Sequence, residues 1–265
     1  MGEHNEKGLL LVSGLTQDSG ILLKLPQVAM TTAQILLQRV YHTTEYTLDK
    51  YPLDITAMAA LFLAAKIEEY PRKACEIIDV FTYVISDRLR QKLVLSYSEH
   101  EKVREELITT ERRLLKTLGF NLLSSCPHKI IVNYYHAMVR KLDPENNVWK
   151  EDDNRALIQV AWNYCNDSLR LDVFLRYSKE AVACACIHLA CEDLDMLFPR
   201  STSGLEWYRL FVDDDSVVRG AMERIRDLYR YPKNVDIHSF RNNLFLATLQ
   251  SSRPYQLNRS SRIAV

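Results

Sequence analysis

The pattern of apolar and polar positions along this chain is that of one helix after another. Apolar residues recur at helical spacing, the chain has seven glycines in all, and it shows no regular spacing of strands and turns. Pro71 suits the first turn of a helix, and another helix begins at Pro127. The other predicted helices cover residues 28–43, 55–69, 99–118, 154–169, 178–194, 203–211, 214–229 and 235–249. The sequence therefore predicts an all-α protein.

One alanine-rich segment occurs twice at a constant offset. Residues 55–69 read ITAMAALFLAAKIEE, and the same cadence returns over residues 180–194 as EAVACACIHLACEDL. In the first copy only Thr56 interrupts the apolar character up to Ala65, so a helix here should be buried on every side. Its small side chains would let neighbouring helices pack closely. We therefore expect two helical repeats, each built around a buried helix.

Length and composition agree with two modest domains. The chain has 265 residues, and its apolar content of 47% is enough for a core in each domain. A polar, turn-rich stretch over residues 143–153 predicts a loop in the second half. The predicted units are a short N-terminal segment over residues 1–23, a first repeat over 24–124, a second repeat over 125–249 and a tail over 250–265.

Charge and cysteine content exclude several classes of protein. Lysine plus arginine and aspartate plus glutamate number 34 each, so the chain has no overall attraction to nucleic acid or to an anionic membrane. No segment approaches the roughly 20 apolar residues that span a bilayer. The six cysteines lack a secretory framework, and the N-terminus has no apolar run long enough for a signal peptide, so we expect a reducing intracellular compartment. We expect neither a membrane partner nor direct contact with nucleic acid.

Two charged residues stand out against this apolar background. Glu111 lies at the centre of the apolar stripe of the helix over residues 99–118, where a carboxylate without a partner would be costly to bury. It either forms an internal salt bridge, with Lys66 as one partner, or marks a place where the stripe meets something outside the domain. Taken alone, Lys66 is more typical of a solvated residue at a helix end.

Several strings resemble the cyclin family. The sequences AAKIEE at residues 64–69 and ERRLLKTLGFNL at residues 111–122 resemble the first cyclin box, and they contain the lysine and glutamate with which that family grips its kinase. Strings that resemble cyclins of the L type lie at residues 20–30, 127–135, 161–170 and 183–190. The resemblance spans residue 20 to about residue 229. It implies two tandem cyclin-box repeats of about five helices each.

The resemblance implies a regulatory subunit and not an enzyme. A cyclin binds the αC helix of a cyclin-dependent kinase and activates the kinase by holding that helix inward. On this basis Lys66 and Glu111 should hydrogen bond to the kinase backbone just before αC. Leu63, Ile67, Leu115, Phe120 and Leu122 should form an apolar bed for the helix, with Glu68 and Glu69 at its rim.

Resemblance to the L type further implies a partner and a location. The implied partner is a cyclin-dependent kinase of the PITSLRE type. The implied roles are in RNA polymerase II transcription and pre-mRNA splicing, with transcription and splicing factors as further partners and the nucleus as the compartment. The second repeat should be mainly structural, because Glu192 occupies the position that corresponds to Lys66.

The sequence departs from the family pattern in three places. Gly14 and Gly20 interrupt the apolar segment before Pro26, so the first helix of the first box is expected to be weak or incomplete. The arginine-containing motif by which cell-cycle cyclins dock substrates is not visible. Residues 251–265 differ from the arginine- and serine-rich tail of long L-type cyclins, and we therefore expect a short isoform or a divergent member.

Two other functions compete with this interpretation. One is a transcription cyclin of another type that serves a polymerase-tail kinase. The other is a general transcription factor of the TFIIB kind, which uses a similar doubled fold to bind DNA. That role calls for excess positive charge and usually a zinc ribbon, and the sequence has neither.

Candidate sites for metals, cofactors and catalysis have simpler interpretations. The acidic run over residues 213–215 is more typical of a helix cap than of a metal site. Cys184, Cys186 and Cys191 lie on one predicted helix at a spacing that cannot converge on zinc, so we expect buried thiols. No phosphate-binding glycine loop, metal-binding HExxH helix or GxSxG turn is present. The sequence therefore predicts no catalytic residue, no metal and no cofactor.

Overall fold

The structure, a computed structural model, describes residues 3–43, 51–122, 126–142, 151–196, 206–230 and 235–251. These residues form α-helices and two short 3₁₀ helices without any strand, which confirms the predicted all-α class. The 3₁₀ helices cover Trp207–Leu210 and Ile237–Asn243. The α-helices are α1 (Glu3–Leu22), α2 (Gln27–Tyr41), α3 (Leu53–Ile67), α4 (Ala74–Leu89), α5 (Tyr97–Thr117), α6 (His128–Leu142), α7 (Glu151–Ser168), α8 (Val173–Arg176), α9 (Lys179–Asp193), α10 (Asp215–Leu228) and α11 (Phe245–Ser251).

Helix α3 is the centre of the first repeat. It packs against α1, α2, α4 and α5, and its side chains are buried around most of its circumference, as its apolar sequence predicts. Its alanines let these helices approach closely, while its larger side chains each contribute about 1.5–3 kcal/mol by burial. The fully buried larger residues of α3 are Leu53, Ile55, Met58 and Leu61.

Helix α1 contradicts the expectation of a weak first helix. It runs from Glu3 to Leu22 without a break and passes through both Gly14 and Gly20. A Cβ atom at Gly20 would lie 2.4 Å from Cγ of Met30 on α2, so a larger residue would have to displace that side chain. Glycine lowers helix propensity by only about 1 kcal/mol. The burial of leucines 9, 11 and 15 in the first core outweighs that cost.

Helix α1 also joins the two repeats. Leu9 and Leu11 belong to the core of the first repeat, whereas Leu10 belongs to the core of the second. This explains why the start of α1 is apolar on more than one side. A second link is made by Gln38 on α2, whose Nε2 donates a hydrogen bond to the carbonyl oxygen of Leu169.

The second repeat has α9 at its centre, as the first repeat has α3. Helix α9 packs against α6, α7 and α10, and the 3₁₀ helix Trp207–Leu210 takes the place of a fourth long helix. That turn is shorter than the helix predicted over residues 203–211, of which 203–205 lie outside the described residues. With α1–α5 in the first repeat, the prediction of about five helices in each is confirmed. The three cysteines of α9 are buried, as expected.

Other helix boundaries differ from the prediction by a few residues. Helix α4 begins at Ala74, three residues after Pro71, because Lys73 takes the N-cap position. Helix α7 begins at Glu151, inside the loop predicted over residues 143–153. Residues 143–150 of that loop lie outside the described part of the chain. No described helix is both long enough and apolar enough to cross a lipid bilayer.

The C-terminal segment packs on the first repeat, although it ends the range predicted for the second. The single helix predicted over residues 235–249 is divided at Leu244 into the 3₁₀ helix and α11. The side chains of this segment that complete the core of the first repeat are Ile237, Phe240, Leu244, Leu246 and Ala247. Of the predicted tail, only residues 250 and 251 are described.

A buried carboxylate fixes the C-terminal segment. Asp54, in the first turn of α3, is fully buried and accepts hydrogen bonds from the backbone N–H groups of Phe245 and Leu246, both at 2.8 Å. Its own neighbour Ile55 donates a third at 2.9 Å. Burial raises the pKa of Asp54, and the three N–H donors act in the opposite direction. The start of α11 is thus attached to the start of α3.

Ion pairs join the repeats on another side. Asp172, just before α8, lies 3.7 Å from Nε2 of His42, 2.6 Å from Nε of Arg176 and 2.9 Å from Nε of Arg224. Burial raises the pKa of Asp172, but the interactions with these three side chains outweigh burial and hold the pKa well below its ordinary value. Arg224 also pairs with Glu6 of α1. Both repeats therefore contribute to one charged cluster.

Candidate functional site

The structure pairs the two charged residues that the sequence singled out. Lys66 lies in the last turn of α3 and Glu111 lies on α5, and Nζ of Lys66 is 2.6 Å from Oε1 of Glu111. The side chain of Lys66 is 43% exposed and that of Glu111 is 12% exposed. The lysine nitrogen also lies 3.8 Å from the ring centroid of Phe62, one turn earlier on α3. The pair is therefore satisfied internally and still reaches the surface.

The predicted apolar bed is only partly open. Ile67, Leu115 and Leu122 are half-buried and pack against the core of the first repeat, whereas Leu63 is 5% exposed and belongs to the core itself. Phe120 is 69% exposed and is the most prominent apolar side chain among them. We call Lys66, Glu111, Phe62, Ile67, Leu115, Phe120 and Leu122 the Lys66–Glu111 surface.

The two predicted rim glutamates differ. Glu69 is exposed, as expected of a rim residue. Glu68 is half-buried, and its Oε1 accepts a hydrogen bond of 2.6 Å from the hydroxyl of Thr32 on α2. Glu68 is therefore held against its own domain, and its contribution to the surface is smaller than that of Glu69.

Residues with a left-handed backbone conformation follow the ends of α3 and α5, beside this surface. Glu69 has φ 62° and follows α3, where the N–H of Tyr70 donates to the carbonyl oxygen of Ala65. Gly119, the predicted stop residue, has φ 58°, and Phe120 has φ 57°. Non-glycine residues adopt this conformation at a cost of about 1–2 kcal/mol. The same conformation follows three other described helices, so it is a common way to end a helix in this protein; at Phe120 it accompanies a side chain that is largely exposed.

Sequence reasoning missed several exposed residues around the loop after α3 and the end of α1. Arg72, in the loop after α3, donates hydrogen bonds to the carbonyl oxygen of Leu23 and so ties the loop to the end of α1. Ile21 and Leu22 at that end are 56% and 50% exposed, and Tyr70 in the loop is 49% exposed. No helical periodicity marks these residues, because Ile21 and Leu22 are adjacent and Tyr70 lies outside a helix.

Two family models match the two repeats. The cyclin N-terminal domain matches residues 21–123, and the cyclin-T2-like C-terminal domain matches residues 147–229. Cyclin-L2 of Mus musculus is 39% identical over 236 residues, which cover 88% of this chain. The chain belongs to the cyclin family. The match confirms the resemblance to cyclins of the L type, and the chain spans 42% of the length of that relative.

Solved structures agree with the cyclin fold. A chain of the CAK complex from Chaetomium thermophilum bound to ATP-gamma-S matches with a TM-score of 0.63 at 16% identity, covering 100% of this chain and 82% of that one. A chain of the yeast RNA Pol II CTD kinase CTDK-1 complex matches with a TM-score of 0.57 at 20% identity, covering 97% and 77%. At these identities the matches describe the fold alone.

The second repeat of this cyclin carries a similar pair with the charges exchanged. Glu192 at the end of α9 stands where Lys66 stands at the end of α3, and it forms an ion pair with Arg226 on α10. Both side chains are about half exposed, at 45% and 46%. His188 lies one turn earlier, at the position of Phe62, and its Nε2 is 3.6 Å from Glu192. The second repeat therefore offers a matched comparison for the first.

The acidic run and the cysteines have the simpler roles that the sequence favoured. Asp214 caps α10, since its Oδ1 accepts the N–H of Ser216 at 2.9 Å, and Asp215 forms an ion pair with Arg209 at 2.7 Å. Burial raises the pKa of Cys184 and Cys191, so these thiols stay protonated. Within the described residues, no group of three histidine, cysteine or acidic side chains is arranged to hold a metal ion.

Proposed function

We propose that this cyclin is the regulatory, non-catalytic subunit of a transcription-type cyclin-dependent kinase, and that the Lys66–Glu111 surface receives the αC helix of that kinase. Membership of the cyclin family supports the regulatory role. The fold is shared with chains from the CAK and CTDK-1 complexes, the second of which is a kinase for the RNA polymerase II tail.

The observation that carries the proposal is the open ion pair at the edge of an apolar surface. The Lys66 ammonium group has three donors and the Glu111 carboxylate has several acceptor positions, and their mutual contact uses only part of this capacity. Both groups are therefore held in place before a partner arrives. Phe120 and the half-buried residues beside it supply apolar area for a docked helix.

The mechanism follows from what a kinase needs for catalysis. Lys66 would donate to a backbone carbonyl, and Glu111 would accept a backbone N–H, in the kinase segment just before αC. The apolar side chains would hold αC inward, so that its glutamate pairs with the catalytic strand lysine of the kinase. The kinase then carries out all of the chemistry, and the cyclin only holds the αC helix of the kinase in its active position.

The proposal also includes a particular kinase partner and a cellular role. Similarity to Cyclin-L2 supports a kinase of the PITSLRE type, action on transcription and pre-mRNA splicing factors, and residence in the nucleus. The competing partner is a kinase that phosphorylates the polymerase tail. Lys66 and Glu111 would contact backbone atoms, which all these kinases share, so this surface does not distinguish between them. Identification of the bound kinase does distinguish them.

The test is affinity purification of the chain with identification and activity assay of the bound kinases. Truncation of one partner of a desolvated polar contact costs about 2–5 kcal/mol, so Lys66→Ala or Glu111→Ala should weaken kinase binding by about 30-fold to about 4,000-fold. The double variant should recover no active kinase. Its own stability should fall by about 1 kcal/mol or less, because the pair is partly exposed.

The matched control removes the exchanged pair of the second repeat. Glu192→Ala with Arg226→Ala deletes an ion pair from the corresponding place, although both of its side chains are about half exposed whereas Glu111 is largely buried. We expect this variant to keep its kinase. Full recovery of active kinase by the Lys66 and Glu111 variants would refute the assigned surface, whereas recovery of a polymerase-tail kinase would leave the surface standing and replace the PITSLRE-type partner.

A further inference from the structure

A cysteine, a histidine and an asparagine form a hydrogen-bonded row at the start of the second repeat. Sγ of Cys126 lies 3.2 Å from Nδ1 of His128, and Nε2 of His128 lies 2.7 Å from Oδ1 of Asn166. Cys126 is half-buried and precedes α6, His128 is 1% exposed, and Asn166 lies on α7. Neither the cyclin match nor the Lys66–Glu111 surface explains this arrangement.

The surroundings of His128 determine which ring nitrogen can act as a base. The Asn166 oxygen can only accept, so Nε2 carries the hydrogen and donates it, which leaves the lone pair of Nδ1 facing the thiol. The ring of Trp162 lies 4.5 Å from the His128 ring, centroid to centroid, and limits its rotation. Burial lowers the pKa of His128, so the ring is neutral near pH 7 and can take up a proton.

The surroundings of Cys126 keep its proton in place until it reacts. Burial raises the pKa of the thiol, while hydrogen bonds from the backbone N–H groups of His128 and Lys129 lower it. The resting group is therefore a thiol that donates to Nδ1. Negative charge that develops on sulfur during a reaction would meet those two N–H groups at the start of α6.

We propose that Cys126 is a modification site for α,β-unsaturated carbonyl compounds, with His128 as general base and Asn166 as a positioning residue. A bond forms between Sγ and the β-carbon while the thiol proton moves to Nδ1. His128 then returns that proton to the α-carbon, so the addition needs no oxidant or reductant. This proposal is independent of the kinase-binding role.

The test measures the rate at which each cysteine of the intact chain reacts with N-ethylmaleimide at pH 7, by peptide mass spectrometry. Cys75 is the internal reference, because it is an exposed thiol in the first turn of α4 with no hydrogen-bonded histidine in the described part of the chain. Lower exposure and a raised pKa both slow Cys126, but a general base contributes about 100-fold or more, so Cys126 should still react at least about tenfold faster than Cys75.

Substitutions separate the roles of the other two residues. His128→Gln should lower the reaction rate of Cys126 by about 100-fold and leave the reaction rate of Cys75 unchanged. Asn166→Ala should lower the reaction rate of Cys126 by a smaller factor. Asn166→Asp should restore that rate, because it keeps an acceptor for Nε2 of His128.

Two results would overturn the proposal. One is a Cys126 rate in the unsubstituted chain no faster than that of Cys75. The other is an unchanged Cys126 rate in a His128→Gln variant whose circular dichroism matches the parent. The first comparison needs no substitution, so it decides the question even where a variant of the buried His128 fails to fold.

Discussion

Replacement of Asp54 by alanine should detach the C-terminal segment from the first repeat. The Asp54 carboxylate accepts three backbone N–H groups, two of which belong to Phe245 and Leu246 at the start of α11. Alanine leaves these donors without an acceptor in a region where Leu246 is fully buried. The Asp54→Asn variant keeps the volume but replaces one acceptor oxygen by a donor group, so it should be destabilised as well.

The size of the effect follows from the same contacts. Each buried donor left unsatisfied costs about 1–3 kcal/mol, and removal of the carboxylate returns part of the cost of burying its charge. For the two donors on α11 we expect a net loss of about 2–4 kcal/mol in the free energy of unfolding. For a domain of about this size that corresponds to a fall in Tm of about 5–15 °C.

Urea denaturation and hydrogen exchange together measure this effect. The free energy of unfolding should fall by the stated amount, and amide exchange should accelerate over residues 235–251 before the rest of the chain. Asp236→Ala is the control, since Asp236 caps the neighbouring 3₁₀ helix from an exposed position and should cost about 1 kcal/mol or less. An Asp54→Ala variant within about 0.5 kcal/mol of the parent, with unchanged exchange in this segment, would refute the reasoning.

Two further predictions test the surface and the junction between the repeats. Phe120→Gly should relieve the strain of a left-handed non-glycine residue, so the free energy of unfolding should stay equal or rise by up to about 1 kcal/mol, while kinase binding weakens. A melting curve measures the stability and a pull-down measures the binding. Unchanged binding would remove Phe120 from the surface. The nearby Asp172 carboxylate raises the pKa of His42 above its unfolded value of about 6.5. This pair therefore stabilises the fold fully below pH 6.5 and loses that effect as pH rises through the folded pKa. The free energy of unfolding should therefore decrease between pH 6 and 8 more in the parent than in His42→Gln, and equal decreases would contradict this role.

Local sequence was sufficient to predict elements whose burial follows from their own composition. Helix α3 is apolar on every side over most of its length, so it has to be buried whatever surrounds it. Glycine content, by contrast, misled the prediction for α1. The packing of α1 against α2, where Gly20 meets Met30, is a tertiary effect that no propensity contains.

The site was predictable in its residues more than in its geometry. Of the two alternatives for Glu111, the structure shows the internal salt bridge with Lys66, whose side chain is 43% exposed, while contact with something outside the domain stays a prediction. Phe120 combines a left-handed backbone with a largely exposed side chain, and the binding of Glu68 by Thr32 depends on a contact across α2 and α3. Neither follows from spacing along the chain.

The attachment of α11 to α3 has a consequence for how the protein is made. The hydrogen bond between Asp54 and Leu246 spans 192 residues, and several side chains of the first core come from residues beyond 236. A ribosome must therefore translate nearly the whole chain before the first repeat can close its core. Until then the nascent first repeat exposes apolar surface, and we expect it to be prone to aggregation and to chaperone binding during synthesis.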